Sequence, residues 1–331
     1  VTRILGVSDI HASRRPPSSC TETYWPDLLD LLWQTTEVAS AREVSAVVWA
    51  GDVLHHKAPS RTDHGVMQDL IRVVHGYPCP LYIVPGNHDI LHDRLASIEA
   101  GQPLGVLYLA GARRLEGWTE DNLPLYGVPW QQEWSEERVR ACLADFREGV
   151  FGQSLVVTHA PVYPPGREPR YPGAECTPAR WWAQGIDDGP FSHGLLYGHI
   201  HEPHGVYAAD DSALRFCNFG ALSRGSLDEY NLERQVGCAL WELGSPSSFE
   251  FIPLKAKPAS EVFRLREHAR EVTARRSLDA FLAGVNGAAL GVLNVESVLA
   301  AIRAGGHGEA VTALAEEYLM AQLGGLWTAE R

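Results

Sequence analysis

No window of this chain approaches eighteen uninterrupted apolar residues, so a membrane-spanning helix is not expected. The first residues, VTRILGVSDIH, have no basic start, apolar core or small-residue cleavage site, so a secretory signal is not expected either. The six cysteines (Cys20, Cys79, Cys142, Cys176, Cys217, Cys238) form no C-x-x-C pair, which removes the usual thiolate metal and redox motifs. Reduced thiols and a cytoplasmic location are the expectation. Positive charge is also in deficit: 28 Lys and Arg against 41 Asp and Glu leave a net charge of −13. That balance argues against broad, nonspecific attraction to a polyanion, though not against a site that gathers positive charge locally. No internal repeat or low-complexity segment is evident.

Apolar residues make up 45% of the 331, with ten tryptophans, which is ample for one large α/β domain with an appendage or for two modest domains. Residues 3–8, 45–50 and 80–84 are short β-branched runs that read as buried strands. Between them, 25–41 and 63–75 have helical spacing, and Pro26 is tolerated in a first turn. Strand, helix, strand, helix, strand implies a parallel sheet with right-handed crossovers. Further strands are predicted at 124–128, 154–158, 194–197, 204–208, 213–217, 236–242 and 249–254. The expected fold is α/β (α+β), a two-layered mixed β-sheet core flanked by helices. Segment 161–176, with five prolines, reads as a loop. After Pro258 the texture changes to Ala, Leu, Glu and Arg at helical spacing, so residues 1–258 are expected to form one domain and 259–331 a helical C-terminal appendage.

Five motifs follow one another, each at the end of a strand-like run: Asp9-Ile10-His11, Gly51-Asp52, Gly86-Asn87-His88-Asp89, Thr158-His159-Ala160 and Gly198-His199-Ile200-His201. In an open α/β sheet the carboxyl ends of the strands converge on one crevice, so these residues can meet there. Strand alternation would point Asp9 and His11 the same way, and likewise His199 and His201. Together Asp9, His11, Asp52, Asn87, His159, His199 and His201 offer seven oxygen and imidazole ligands. That number suffices for two divalent ions, with Asp52 chosen as the shared carboxylate. Carboxylate, carboxamide and imidazole without thiolate suit Mn, Fe or Zn, and a pair of such ions activates water against a phosphoester. Each motif alone is weak; a lone His159 would more often be a hydrogen-bonded core histidine.

These residues resemble the motif set of the calcineurin-like metallophosphoesterase superfamily. The resemblance implies one ion on Asp9, His11, Asp52 and His201 and another on Asp52, Asn87, His159 and His199. Manganese is the expected ion, with iron, zinc and nickel as alternatives. It also implies that His88 is not a ligand but assists at the scissile phosphate, with Asp89 orienting it. Within the superfamily, GDVLHHKAPS (51–60), PLGVLYLAG (103–111) and NFGALSRGSLDEYNLERQ (218–235) are similar to segments of SbcD-type DNA repair exonucleases and their phage relatives. That likeness implies a DNA phosphodiesterase, exonuclease or endonuclease, with His55 at the substrate. Arg14, Arg15, Arg167 and Arg170 are expected near the rim of the site. For the C-terminal helices it implies docking of an SbcC-type ATPase partner, with a replacement for the family's capping domain and a helical buttress packed on the sheet as the alternatives; a homodimer is kept as an option. The alternatives are a nucleotide or small-molecule phosphodiesterase or phosphomonoesterase on the same site, and a scaffold subunit that no longer uses it.

Overall fold

The β-branched runs that lead into the motifs form the centres of two sheets in a computed structural model of the chain. It describes residues 2–91, 94–99, 101–149, 152–167, 169, 174–186, 193–209, 212–244 and 248–270, with 273, 303, 312–314 and 317. In chain order the first strands are β1 (Arg3–Val7), β2 (Ala46–Ala50), β3 (Leu81–Val84), β4 (Arg113–Arg114), β5 (Gly117–Trp118), β6 (Leu125–Val128) and β7 (Leu155–Thr158). They are followed by β8 (Val162–Tyr163), β9 (Thr177–Pro178), β10 (Gly194–Tyr197), β11 (Gly205–Ala208), β12 (Arg215–Asn218), β13 (Gly237–Glu242) and β14 (Ser248–Pro253). Among the described residues one six-stranded sheet has the order β14-β13-β1-β2-β3-β4 and a second the order β11-β12-β10-β7-β6-β5, with β8 and β9 as a separate pair.

Both sheets are mixed. In the first, β1, β2 and β3 run parallel, and β1 meets β13 antiparallel. In the second, β6, β7, β10 and β12 run parallel, with β5 and β11 antiparallel at the edges. The central strands are buried on both faces, which is why AVVWA and LVVT are continuous apolar runs rather than alternating ones.

The sheets pack face to face. Ile4, Val48 and Val84 of the first sheet share a core with Leu125, Val157 and Leu196 of the second. The outer face of the second sheet is covered by three helices, α4 (Glu136–Cys142), α5 (Ala144–Gly149) and α6 (Ala179–Ile186), through Val139, Phe146 and Trp182. Two longer helices precede these, α1 (Tyr24–Ala41) and α2 (His64–Gly76). Tyr77, just after α2, takes a hydrogen bond from Trp49 Nε1 of β2 (3.3 Å) and shares one with Thr35 of α1 (2.6 Å), all three buried. Leu28, Leu31, Leu32, Thr35 and Ala39 are the buried stripe of α1, and Asp63 caps α2 by accepting from the amides of Gly65 and Val66. Each fully buried Leu or Val contributes roughly 1.5–3 kcal/mol, so this core can support local strain at its edge.

The expected mixed, two-layered core flanked by helices is the fold observed. Missing from the sequence reading were α4, α5, α6, a short helix α3 (Pro103–Leu109) and the pairing of β8 with β9 inside the proline-rich loop. The chain divides into two compact units, Val1–Phe263 and Arg264–Arg331. The short helix Ala259–Val262 and Phe263 belong to the first unit: Val262 and Phe263 are buried, and the Val262 carbonyl accepts from the amide of Thr21. Most of 271–331, and with it most of the expected helical appendage, lies outside the described residues.

Candidate metal centre

β1, β2, β3, β7 and β10 all end at one edge of the two sheets, and the motif residues sit in the turns that follow. Asp9, His11, Asp52 and His199 have φ of 53°, 46°, 50° and 77°, in the left-handed region that non-glycine residues rarely adopt. The strands stop at Val7, Ala50 and Tyr197, so strand alternation is not what aims these side chains. Left-handed turns aim them, each costing on the order of 1–3 kcal/mol. Backbone hydrogen bonds across the turns hold them: Asp9 N to Gly51 O, His11 N to Asp52 O and Ala12 N to Val53 O, at 2.8–3.1 Å. The Asp9 carboxylate accepts from the amide of His199.

Two motif glycines are set by space. At Gly51, whose φ is +85°, a Cβ would overlap the His159 ring; at Gly86 it would overlap the carboxylate and amide of Asp52.

The side chains form adjoining clusters. Asp9, His11 and His201 can share one ion, and Asp52, His159 and His199 another. Asp52 stands between them, with Oδ2 3.5 Å from His11 Nε2 and Oδ1 3.3 Å from His159 Nε2. Asn87 Oδ1 lies 3.2 Å from His159 Nε2 and 3.0 Å from His199 Nδ1, in the second cluster. Asp9, Asp52 and His159 are buried, and among the described residues neither carboxylate is paired with Lys or Arg.

Burial and the neighbouring charges set the protonation of these side chains. Burial holds Asp9 above the usual carboxylate range. For Asp52 burial also pushes upward, but His159, His11 and His88 together outweigh it and its carboxyl lies well below that range. Burial opposes the charged form of His159, yet Asp52 and Asp9 overcome this and raise it to about 9. His11 and His199 are lowered, chiefly by burial, His199 to about 3. The His159 proton thus takes a cation's place in the charge balance. The imidazole nitrogens of His11 and His201 face each other at 3.0 Å, and the buried His11 Nδ1 has no partner among the described residues. Mutually facing imidazole acceptors of this kind, one of them buried, fit divalent metal ions.

His88 stands beside this set. Its ring is 4.8 Å from that of His11, its amide donates to Asp52 Oδ1 (2.8 Å), and its Nδ1 lies 2.9 Å from the carbonyl oxygen of His55. Asp89 does not orient it. The buried Asp89 carboxylate accepts instead from the amides of Val53, Leu54 and Gly86, at 3.0–3.2 Å, and so ties the Gly51-Asp52 turn to the Gly86-Asn87 turn. The physical reason is that three backbone amides converge on the Asp89 carboxylate, and each needs an acceptor where water is excluded. Burial and nearby Asp52 push the Asp89 carboxyl up to about 6.

The expected substrate residues separate. The His55 ring is 5.9 Å from that of His11 and 6.0 Å from that of His88. Arg167 lines a cavity of about 520 Å³ together with His199, His201, Tyr163, His204 and Tyr230. Arg14 and Arg15 instead line a separate cavity with His56 and Asp63. The Arg14 guanidinium is ion-paired with Asp69 (3.0 Å) and Asp63 (3.7 Å). Arg170 lies outside the described residues.

Sequence reasoning missed His204, whose Nδ1 is 2.6 Å from the Tyr197 hydroxyl and whose burial lowers it to about 4. It also missed the bracing by 218–223. Asn218 Nδ2 donates to the carbonyls of Tyr197 and Ile200, and Ser223 Oγ donates to the carbonyl of Asp9. The resemblance of NFGALSRGS was the available signal, but it carries no geometry.

The sequence matches the model of the family described as calcineurin-like phosphoesterase over residues 2–216. No curated protein sequence matches the chain. Among solved structures the chain is similar to a dimetal phosphatase from Danio rerio, at 14% identity and TM-score 0.47, covering 76% of this chain and 96% of that one. It is similar also to the protein TT1561 of Thermus thermophilus, at 14% identity and TM-score 0.49, covering 77% of this chain and 100% of that one.

Proposed function

This chain belongs to the calcineurin-like phosphoesterase family, and on that premise we propose that it is a dimetal phosphodiesterase whose substrate is DNA. The observation that carries the dimetal reading is Asp52, whose two carboxylate oxygens face different histidines, His11 and His159. Asp9, His11, Asp52 and His201 would hold one ion, and Asp52, Asn87, His159 and His199 the other. Two ions there would supply Lewis-acid polarisation of a phosphoryl oxygen and a water of lowered pKa.

The protein's own groups do the rest. A carbonyl only accepts, so the His88 Nδ1 proton is held by His55 O and fixes the ring. Nε2 is then the atom that carries a proton to the leaving oxygen. Asp89 keeps the two turns in register and so keeps the His88 amide on Asp52. Arg167, on the cavity that His199 and His201 line, offers a fixed positive charge to a further phosphate.

The GDVLHHKAPS and NFGALSRGS likenesses support DNA as substrate. The second reading, a nucleotide or smaller ester, is favoured by Glu202 and Asp228 in the same cavity and by the net charge of −13, which disfavour a duplex. A panel with Mn²⁺ decides: linear duplex, single-stranded DNA, bis-nitrophenyl phosphate and nitrophenyl phosphate. The DNA reading expects both DNA and the diester analogue to be cleaved faster than the monoester. Brisk monoester hydrolysis with every DNA left intact would overturn it in favour of the second reading. We extend the proposal to residues 264–331 as the docking segment for an SbcC-type ATPase. A chain truncated after Phe263 is then expected to keep diester hydrolysis and lose that binding; unchanged binding would refute the extension.

A further inference from the structure

Arg234 lies far from every motif in sequence, yet its guanidinium closes the site's support from behind. Its Nη2 donates to the carbonyls of Ala221 (2.6 Å) and Ser223 (2.9 Å), and its Nε donates to Asn231 Oδ1 (2.8 Å). The short helix Glu229–Glu233 fixes where it starts, and Arg234 N donates to the Tyr230 carbonyl. Asn231, which orients the guanidinium, is itself buried and anchored to Ser226 through Nδ2.

One nitrogen gripping two carbonyls two residues apart turns the donors of 221–223 the other way. The amide of Ala221 donates to the His201 carbonyl (3.1 Å), and that of Leu222 to the Ser8 carbonyl (2.8 Å). Ser223 gives both its amide (3.3 Å) and its Oγ (2.8 Å) to the carbonyl of Asp9. The segment is therefore a strap. Its far side is held by Arg234, and its near side holds the backbones of Asp9 and His201. Asp9 is one of the left-handed residues, so a brace on its carbonyl opposes relaxation of a strained turn. No comparable contact reaches Asn87, His159 or His199 from this strap among the described residues.

We propose that Arg234 is a positioning residue for one ion of the pair, that of the Asp9, His11, Asp52 and His201 set, acting through the backbone of 221–223. The inference rests on the dimetal reading above. It goes further in separating the two ions: the first depends on a distant arginine and the second does not.

The test is Mn²⁺ titration of the full chain, by calorimetry and electron paramagnetic resonance, for the wild type, Arg234→Met and Ser223→Ala. Arg234→Met keeps the aliphatic volume but loses both carbonyl bonds. The expected result is a drop of about ten- to a hundredfold in affinity for one ion, the usual scale for losing a group that orients ligands. The other ion should keep its affinity, and the exchange-coupled spectrum of a pair should give way to that of an isolated ion. Ser223→Ala, which removes a single bond, should weaken the same ion less and carries the test alone if Arg234→Met does not fold. Two unchanged affinities, or equal weakening of both ions, would overturn the inference and leave the dimetal reading standing. A wild type that never binds two ions would overturn both.

Discussion

Substituting His88 by alanine separates chemistry from metal binding. Among the described residues the one hydrogen bond of the His88 ring joins Nδ1 to the backbone carbonyl of His55, and its loss costs about 1 kcal/mol of stability. The hydrogen bond His88 makes to the metal set is from its amide to Asp52 Oδ1, which any residue but proline retains; its ring only packs edge-on against that of His11. Both ions should therefore stay. Turnover should fall by roughly 10²–10⁴, the range for a positioned general acid, or about 3–5 kcal/mol of transition-state stabilisation. The assay compares DNA, whose leaving group is an alkoxide, with a nitrophenyl diester, whose acidic phenol leaves without protonation. If His88 Nε2 protonates the leaving oxygen, the loss is large on DNA and small on the nitrophenyl ester. An equal loss on both substrates would refute protonation and leave charge stabilisation as its role. Loss of metal, measured by elemental analysis, would refute the placement of His88 outside the ligand set.

Chelation should abolish activity and Mn²⁺ should restore it better than Mg²⁺, since an imidazole-rich set disfavours a hard, strongly hydrated ion; equal rescue by Mg²⁺, with no bound transition metal found, would contradict this. The metal-free protein should be pH-sensitive through His159. Its pKa is raised to about 9 in the fold, against about 6.5 unfolded, so its contribution is fully present below about pH 6.5 and is lost as pH rises through 9. The contribution is on the order of 3 kcal/mol. Urea midpoints measured between pH 6 and 10 should fall, and the fall should be shallower in Asp52→Asn, which removes the charge facing the ring. Identical slopes would contradict the assignment of that charge pair.

Much of this was legible in the sequence, for a physical reason. Buried parallel strands must be continuous apolar runs, so β1, β2, β3, β7 and β10 and the turns that end them could be read directly. The seven ligand candidates follow from those turns. What aims them could not be read. Asp9, His11, Asp52 and His199 point into the site through left-handed backbone, which Asp, Asn and His tolerate but do not announce. The role of Asp89 was misread because its partners are amides, which every residue but proline carries. The strap of 221–223 was missed on the same ground: Arg234 binds two carbonyls, and no side-chain pattern encodes a carbonyl's position. The pairing of Arg14 could not be read either, because Asp63 and Asp69, fifty or so residues away in sequence, reach it only once α2 is in place.

The most direct test of the account is metal stoichiometry in the wild type and in Asp52→Ala, with folding verified by circular dichroism. A carboxylate shared between the two sets predicts two ions per chain in the wild type. In Asp52→Ala both ions and DNA cleavage should be lost together. If Asp52→Ala keeps two ions, or keeps wild-type cleavage, Asp52 is not the bridge and the dimetal account is wrong.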